Sequence, residues 1–197
     1  MTETRCATPI EFADIADYWS GELSSPAADR IEEHVFTCAE CARRLSEVEA
    51  LTRGVADLVR AGRFHSAVTD AVLNQLARDG VRIREYTLGP GDVVPCAIWA
   101  DDDLIVTRIR ADFTGVDAVT VVKRLASGRE AGRLEDLPVR PGQIEILDAT
   151  SAALLKRLPA TTLRVTLTGR TAGGERVLAE YVLEHAGTLD RAHDSSV

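Results

Sequence analysis

Apolar residues recur at helical spacing through the first third of the chain, and then the period changes. Phe12, Ile15 and Trp19 fall on one side of a first helix, with Thr8 placed to cap it and Pro9 in its first turn. Gly21 breaks that helix. Ser25-Pro26 opens a second, with Ile31 and Val35 on its buried side. A third carries a long stripe of Leu45, Val48, Leu51, Val55, Leu58 and Val59. The spacing predicts a fourth over 66–78, with Val68, Val72 and Leu76 on one stripe, ended by Asp79-Gly80. From Val81 the pattern becomes short runs of Val, Ile, Leu and Thr between turn signals such as Gly89-Pro90-Gly91-Asp92 and Ala172-Gly173-Gly174. Strands are expected over 81–88, 93–99, 104–112, 118–125, 143–148, 162–168 and 176–185. A short one is expected at 137–139 and a helical crossing at 151–158.

This pattern predicts an α+β chain of two domains: a small helical bundle, then an antiparallel β-sandwich. The expected boundaries are a helical domain at 1–63, a fourth helix and linker at 64–80, a sandwich at 81–187 and a flexible polar tail at 188–197. Arg82, Arg84, Arg108 and Arg110 alternate with apolar residues, as on a strand with one solvated face, which could also take an anion.

The helical third holds the distinctive chemistry. His34, Cys38 and Cys41 are separated by four and three residues, so an imidazole and two thiols can converge on one ion. Nitrogen and sulfur donors suit Zn2+, which takes four ligands in a closed structural site. Cys6 is the fourth candidate. If it does not reach, water, Asp14 or Cys96 would have to complete the shell. The chain has 4 cysteines in 197 residues, and its length permits a core without disulfide staples. Residues 1–19 hold Glu3, Glu11, Asp14 and Asp17 and no apolar export segment. The longest apolar run, 93–100, is 8 residues, too short to span a bilayer. A cytoplasmic chain with reduced thiols is expected.

Charge narrows the partner. The formal net charge is -8. Residues 1–60 carry 12 acidic and 6 basic side chains, 6 − 12 = −6, so most of the excess lies in the helical third. Such a module repels phosphate backbones and suits a basic protein surface. Neither a phosphate-binding glycine loop nor a nucleophile elbow occurs, so no enzyme is expected. Tyr86, Cys96 and Trp99 are read as core and rim of the sandwich, with a ligand pocket as the alternative.

With Gly21-Glu22-Leu23-Ser24 preceding His34, Cys38 and Cys41, residues 1–60 resemble the zinc-binding anti-sigma factors. The resemblance implies a zinc site of Cys6, His34, Cys38 and Cys41, although Cys6 lies before Pro9 and the family's fourth ligand usually comes from the first helix. It implies sequestration of an extracytoplasmic-function type sigma factor, with the fourth helix (Val68, Val72, Leu76) touching that partner. An ordinary core helix is the other reading of that stripe. Some soluble members carry a metal-binding cupin here. His185 and His193, the latter in the tail, are the only histidines of the second domain, and they do not supply a cupin's paired histidines. Oxidation of Cys6, Cys38 and Cys41 with loss of zinc is a further expectation for release. The rival reading is a zinc-containing scaffold or ligand-binding sensor whose partner is not a sigma factor.

Overall fold

The computed structural model describes residues 6–189. They form two units. One takes the described residues up to Leu58 together with Thr69–Gly80. The other takes Val59–Val68 and the described residues from Val81 onward.

The helical unit consists of α1 (Phe12–Ser20), α2 (Ser25–Thr37), α3 (Ala39–Arg60, whose last residues pass into the other unit) and α4 (Asp70–Arg78). α1 starts later than Thr8-Pro9 predicts. Arg44 donates to the Ile10 carbonyl at 2.9 Å, which holds the lead-in out of the helix. α1 stops at Gly21, whose φ of +78° is left-handed, and the Glu22 N–H returns to the Asp17 carbonyl at 2.9 Å. Ile15, Ile31, Cys41, Val48, Ala56, Ala71, Leu73 and Leu76 are buried. The α3 stripe is narrower than expected: Leu51 and Leu58 are exposed.

The expected helix over 66–78 is corrected at its start. Residues 65–68 form strand β1 (His65–Val68), and Thr69 caps α4 by accepting the Val72 N–H. Four residues are too few to show a period of two beside a helical stripe that happens to continue through Val68.

The β unit adds β2 (Ile83–Leu88), β3 (Val93–Trp99), β4 (Leu104–Arg110), β5 (Ala118–Leu125), β6 (Glu130–Pro138), β7 (Glu145–Ser151), a turn of helix α5 (Ala152–Leu155), β8 (Thr161–Thr171) and β9 (Gly174–Leu189). One sheet runs β1-β7-β4-β2, the other β3-β9-β8-β5-β6. The sheets are antiparallel-rich, with two parallel pairs, β2 on β4 and β3 on β9. These arise because the turn at 89–92 hands the chain from one sheet to the other, so β2 and β3 find separate partners. β6 is longer than the expected 137–139 because an edge strand with mostly exposed side chains lacks an apolar signature. β9 continues through Leu189, paired with Trp99, where the tail is expected to begin. The remaining tail, 190–197, lies outside the described residues.

Strand alternation places Leu88, Ile109 and Ile146 of one sheet and Val121, Val165, Leu167 and Tyr181 of the other in one core. The buried Tyr181 hydroxyl donates to the Arg110 carbonyl at 2.7 Å. The arginines of the solvated face are already paired with carboxylates: Arg82 with Asp103, Arg84 with Asp102, Arg108 with Glu85 and Glu145, and Arg110 with Glu145. Among the described residues no helix is long and apolar enough to cross a membrane.

Candidate metal centre

The corner between α2 and α3 builds the site. α2 ends at Cys38, which leaves helical geometry (φ −120°, ψ 105°) while its N–H still bonds the His34 carbonyl at 2.9 Å. α3 starts at the next residue, and the Ala42 N–H returns to the Cys38 carbonyl at 3.0 Å. Cys38 is therefore the capping residue of α3, and the Cys41 N–H is directed at its sulfur. His34 reaches in from the last turn of α2 and Cys41 from the first turn of α3.

Cys6 arrives from the lead-in before α1, outside any helix or strand. Its N–H donates to Glu40 Oε2 at 2.7 Å, and Arg44 holds the other Glu40 oxygen at 3.2 Å. Nothing in the residue spacing identifies Glu40 or Arg44 as supports, because the segment they fasten lies 34 residues upstream.

The ligand atoms of Cys6, His34, Cys38 and Cys41 all lie within 4.8 Å of one another, and Cys6 Sγ is 3.4 Å from His34 Nε2. Donors bound to a tetrahedral ion at ~2.0–2.3 Å are separated by roughly 3.5–3.8 Å, so small side-chain adjustments would close this set around one metal. Cys41 is fully buried, while the others are partly exposed. Among the described residues, neither Asp14 nor Cys96 joins the cluster.

The thiols differ before any metal binds. The Cys38 thiol is held down at about 7, chiefly by the Cys41 N–H and, more weakly, by its Cys6, His34 and Cys41 side-chain neighbours, against desolvation. Desolvation pushes Cys6 up. Glu40→Ala should release the Cys6 lead-in and weaken metal affinity by about 10–100-fold, measured by chelator competition. An unchanged affinity would show that Cys6 needs no such anchor.

The stripe of Val68, Val72 and Leu76 is not presented as one surface. Val68 lies in β1, Val72 is half-buried on α4, and Leu76 is fully buried. Tyr86 and Cys96 line a small enclosed cavity of the β unit, whereas Trp99 lies under the Arg84 guanidinium at 5.5 Å.

A helical unit bearing a three-cysteine, one-histidine cluster, with a two-sheet β unit, defines a candidate metal-binding protein. Residues 13–42 match the family described as "Putative zinc-finger", a span that includes His34, Cys38 and Cys41 and begins after Cys6. That match and the four-residue cluster fit the zinc-binding anti-sigma family. No curated protein matches the chain. Among solved structures, the N-terminal domain of phage TP901-1 ORF48 aligns at 10% identity and a TM-score of 0.33, covering 55% of this chain and 98% of its own. That likeness is too slight to bear on fold or function.

Proposed function

We propose that this chain is a cytoplasmic anti-sigma factor whose zinc-closed helical unit sequesters a sigma factor of the extracytoplasmic-function type and so represses transcription. The cluster of Cys6, His34, Cys38 and Cys41 inside a zinc-finger match is the observation that carries the reading. Three thiolates and an imidazole are a donor set for Zn2+ in a structural role, with no open position for chemistry.

Two further features support a protein partner. Phe12, Phe36, Leu51 and Leu58 are exposed on the helical unit, Phe36 by 82%. Leu51 and Leu58 lie two turns apart on one side of α3. Exposed apolar anchors amid an acidic surface suit a basic, partly apolar protein. The output is then a binding equilibrium that a signal shifts, and no catalytic step is involved.

The test is an affinity pull-down from native lysate with tagged full-length chain, reducing buffer and no chelator. Stoichiometric recovery of one sigma factor, lost in Phe36→Glu with the fold intact, supports the reading. Recovery of a different protein would favour a zinc-containing scaffold. No sigma factor, from cells expressing several, would sink the proposal. Mild peroxide tests the redox form of release: retained zinc and an unchanged complex would restrict the cluster to a structural role.

A further inference from the structure

The inner face of the β unit carries charge where a sandwich core is ordinarily apolar. Lys123 replaces the next apolar residue after Val119 and Val121 on β5, and its Nζ lies 2.7 Å from Asp148 Oδ2 on β7. Asp148 Oδ1 faces His65 Nε2 of β1 at 3.2 Å. One carboxylate thus lies against two basic groups, and Lys123, an ammonium with three donor protons, can serve a further acceptor besides its ion pair with Asp148.

Lys123 also borders open space. A pocket of about 250 Å3 opens between the strands and α5, with His65, Lys123 and Thr150 on its polar side and Leu154, Leu155 and Leu158 on its apolar side. Behind it, an enclosed cavity of about 30 Å3 shares Lys123, Thr150, Leu155 and Leu163 with the outer pocket and adds His185. Thr150 and His185 are 7% and 4% exposed, yet Thr150 Oγ1 and His185 Nε2 have no hydrogen-bond partner within the protein. Buried polar atoms without partners are uncommon and costly unless a water or ligand meets them. Gly132 borders the same mouth, where an added Cβ would come within 3.1 Å of the His65 ring.

We propose that this inter-sheet pocket binds a small amphipathic organic acid. Its carboxylate takes hydrogen bonds from Lys123 Nζ and the Thr150 hydroxyl, and its short aliphatic part lies against Leu154, Leu155 and Leu158. The acid class follows from the charges. Asp148 offsets Lys123, Arg129 adds a cation at the mouth, and Glu130 at the rim is already paired with Arg133 at 2.8 Å. The size class follows from the volume, equivalent to roughly eight waters. The inference is independent of the partner that the helical unit binds.

The test is titration of full-length, zinc-loaded chain with hexanoate, and with 1-hexanol as the uncharged comparison. It is followed by calorimetry and by the methyl resonances of Leu154, Leu155 and Leu158. Saturable hexanoate binding with shifts at those methyls, and hexanol at least about tenfold weaker, is the expected result. Thr150→Val removes a hydroxyl that nothing in the protein satisfies. It should leave the melting temperature unchanged or raised while weakening hexanoate by about tenfold. Leu158→Trp should fill the mouth and abolish binding in a folded chain. Absence of saturable shifts at those leucines, equal affinity for hexanol, or undiminished binding in folded Thr150→Val or Leu158→Trp would overturn the proposal.

Discussion

Cys41→Ser, or a chelator added to the parent chain, unfolds the helical unit and leaves the β unit folded. Few apolar side chains are fully buried in the helical unit, and several large ones, Phe12, Phe36 and Leu51, remain in solvent. A unit of that size with so thin a core depends on a staple. Structural Zn2+ contributes apparent binding energies of about 10–16 kcal/mol near neutral pH, comparable to the whole stability of a typical domain, about 5–15 kcal/mol. Cys41 is the most sensitive of the four candidate ligands because it is fully buried at the start of α3, and a serine hydroxyl there is a poor zinc donor. Far-UV circular dichroism should lose helical signal on chelation, while hydrogen exchange stays slow in β8 and β9. Retention of the helical signal after complete metal removal would refute the dependence. Acid acts in the same direction, because thiolates must be unprotonated to bind.

Lys123→Met should destabilise the β unit by about 3–5 kcal/mol, since it leaves a fully buried Asp148 with His65 as its one remaining basic partner. The double substitution Lys123→Met with Asp148→Leu should recover much of that loss, because no unpaired charge then remains inside. Denaturant midpoints of the two variants check both statements, and a single variant within about 1 kcal/mol of the parent would contradict them. Burial pushes the Asp148 carboxyl up, but Lys123 and His65 outweigh it and hold the group below its ordinary range. Its stabilising contribution is therefore present above the usual carboxylate pKa and lost as pH falls through the depressed value.

The contrast between these two sites shows what a sequence exposes. His34, Cys38 and Cys41 are legible because one helical corner brings near neighbours together, so spacing alone carries the geometry. Cys6 is legible only as a spare thiol, since its place depends on Glu40 and Arg44 more than thirty residues away. Lys123, Asp148 and His65 come from three strands that meet only once both sheets have formed. Read singly, each is an ordinary polar residue in a strand-like or helix-like run. β3 and β5 coincide with their apolar runs because both faces or the flanking turns are distinctive. β6 is underestimated because the edge of a sheet requires no apolar face, and β1 is missed because its structure is set by β7 rather than by its own four residues.

The interleaving of the two units also fixes an order of assembly on the ribosome. The helical unit cannot be complete until α4 has emerged, yet the chain first passes through β1, which then waits with an unpaired edge. Its partner arrives much later, because His65 pairs with Thr150. Closing so long a loop for four residues of ladder is entropically late, so β1 joins among the last strands. For most of synthesis the growing chain therefore presents a finished metal-binding head and an unfinished sheet. Any truncation ending before residue 145 retains that open edge permanently, and with it a route to aggregation.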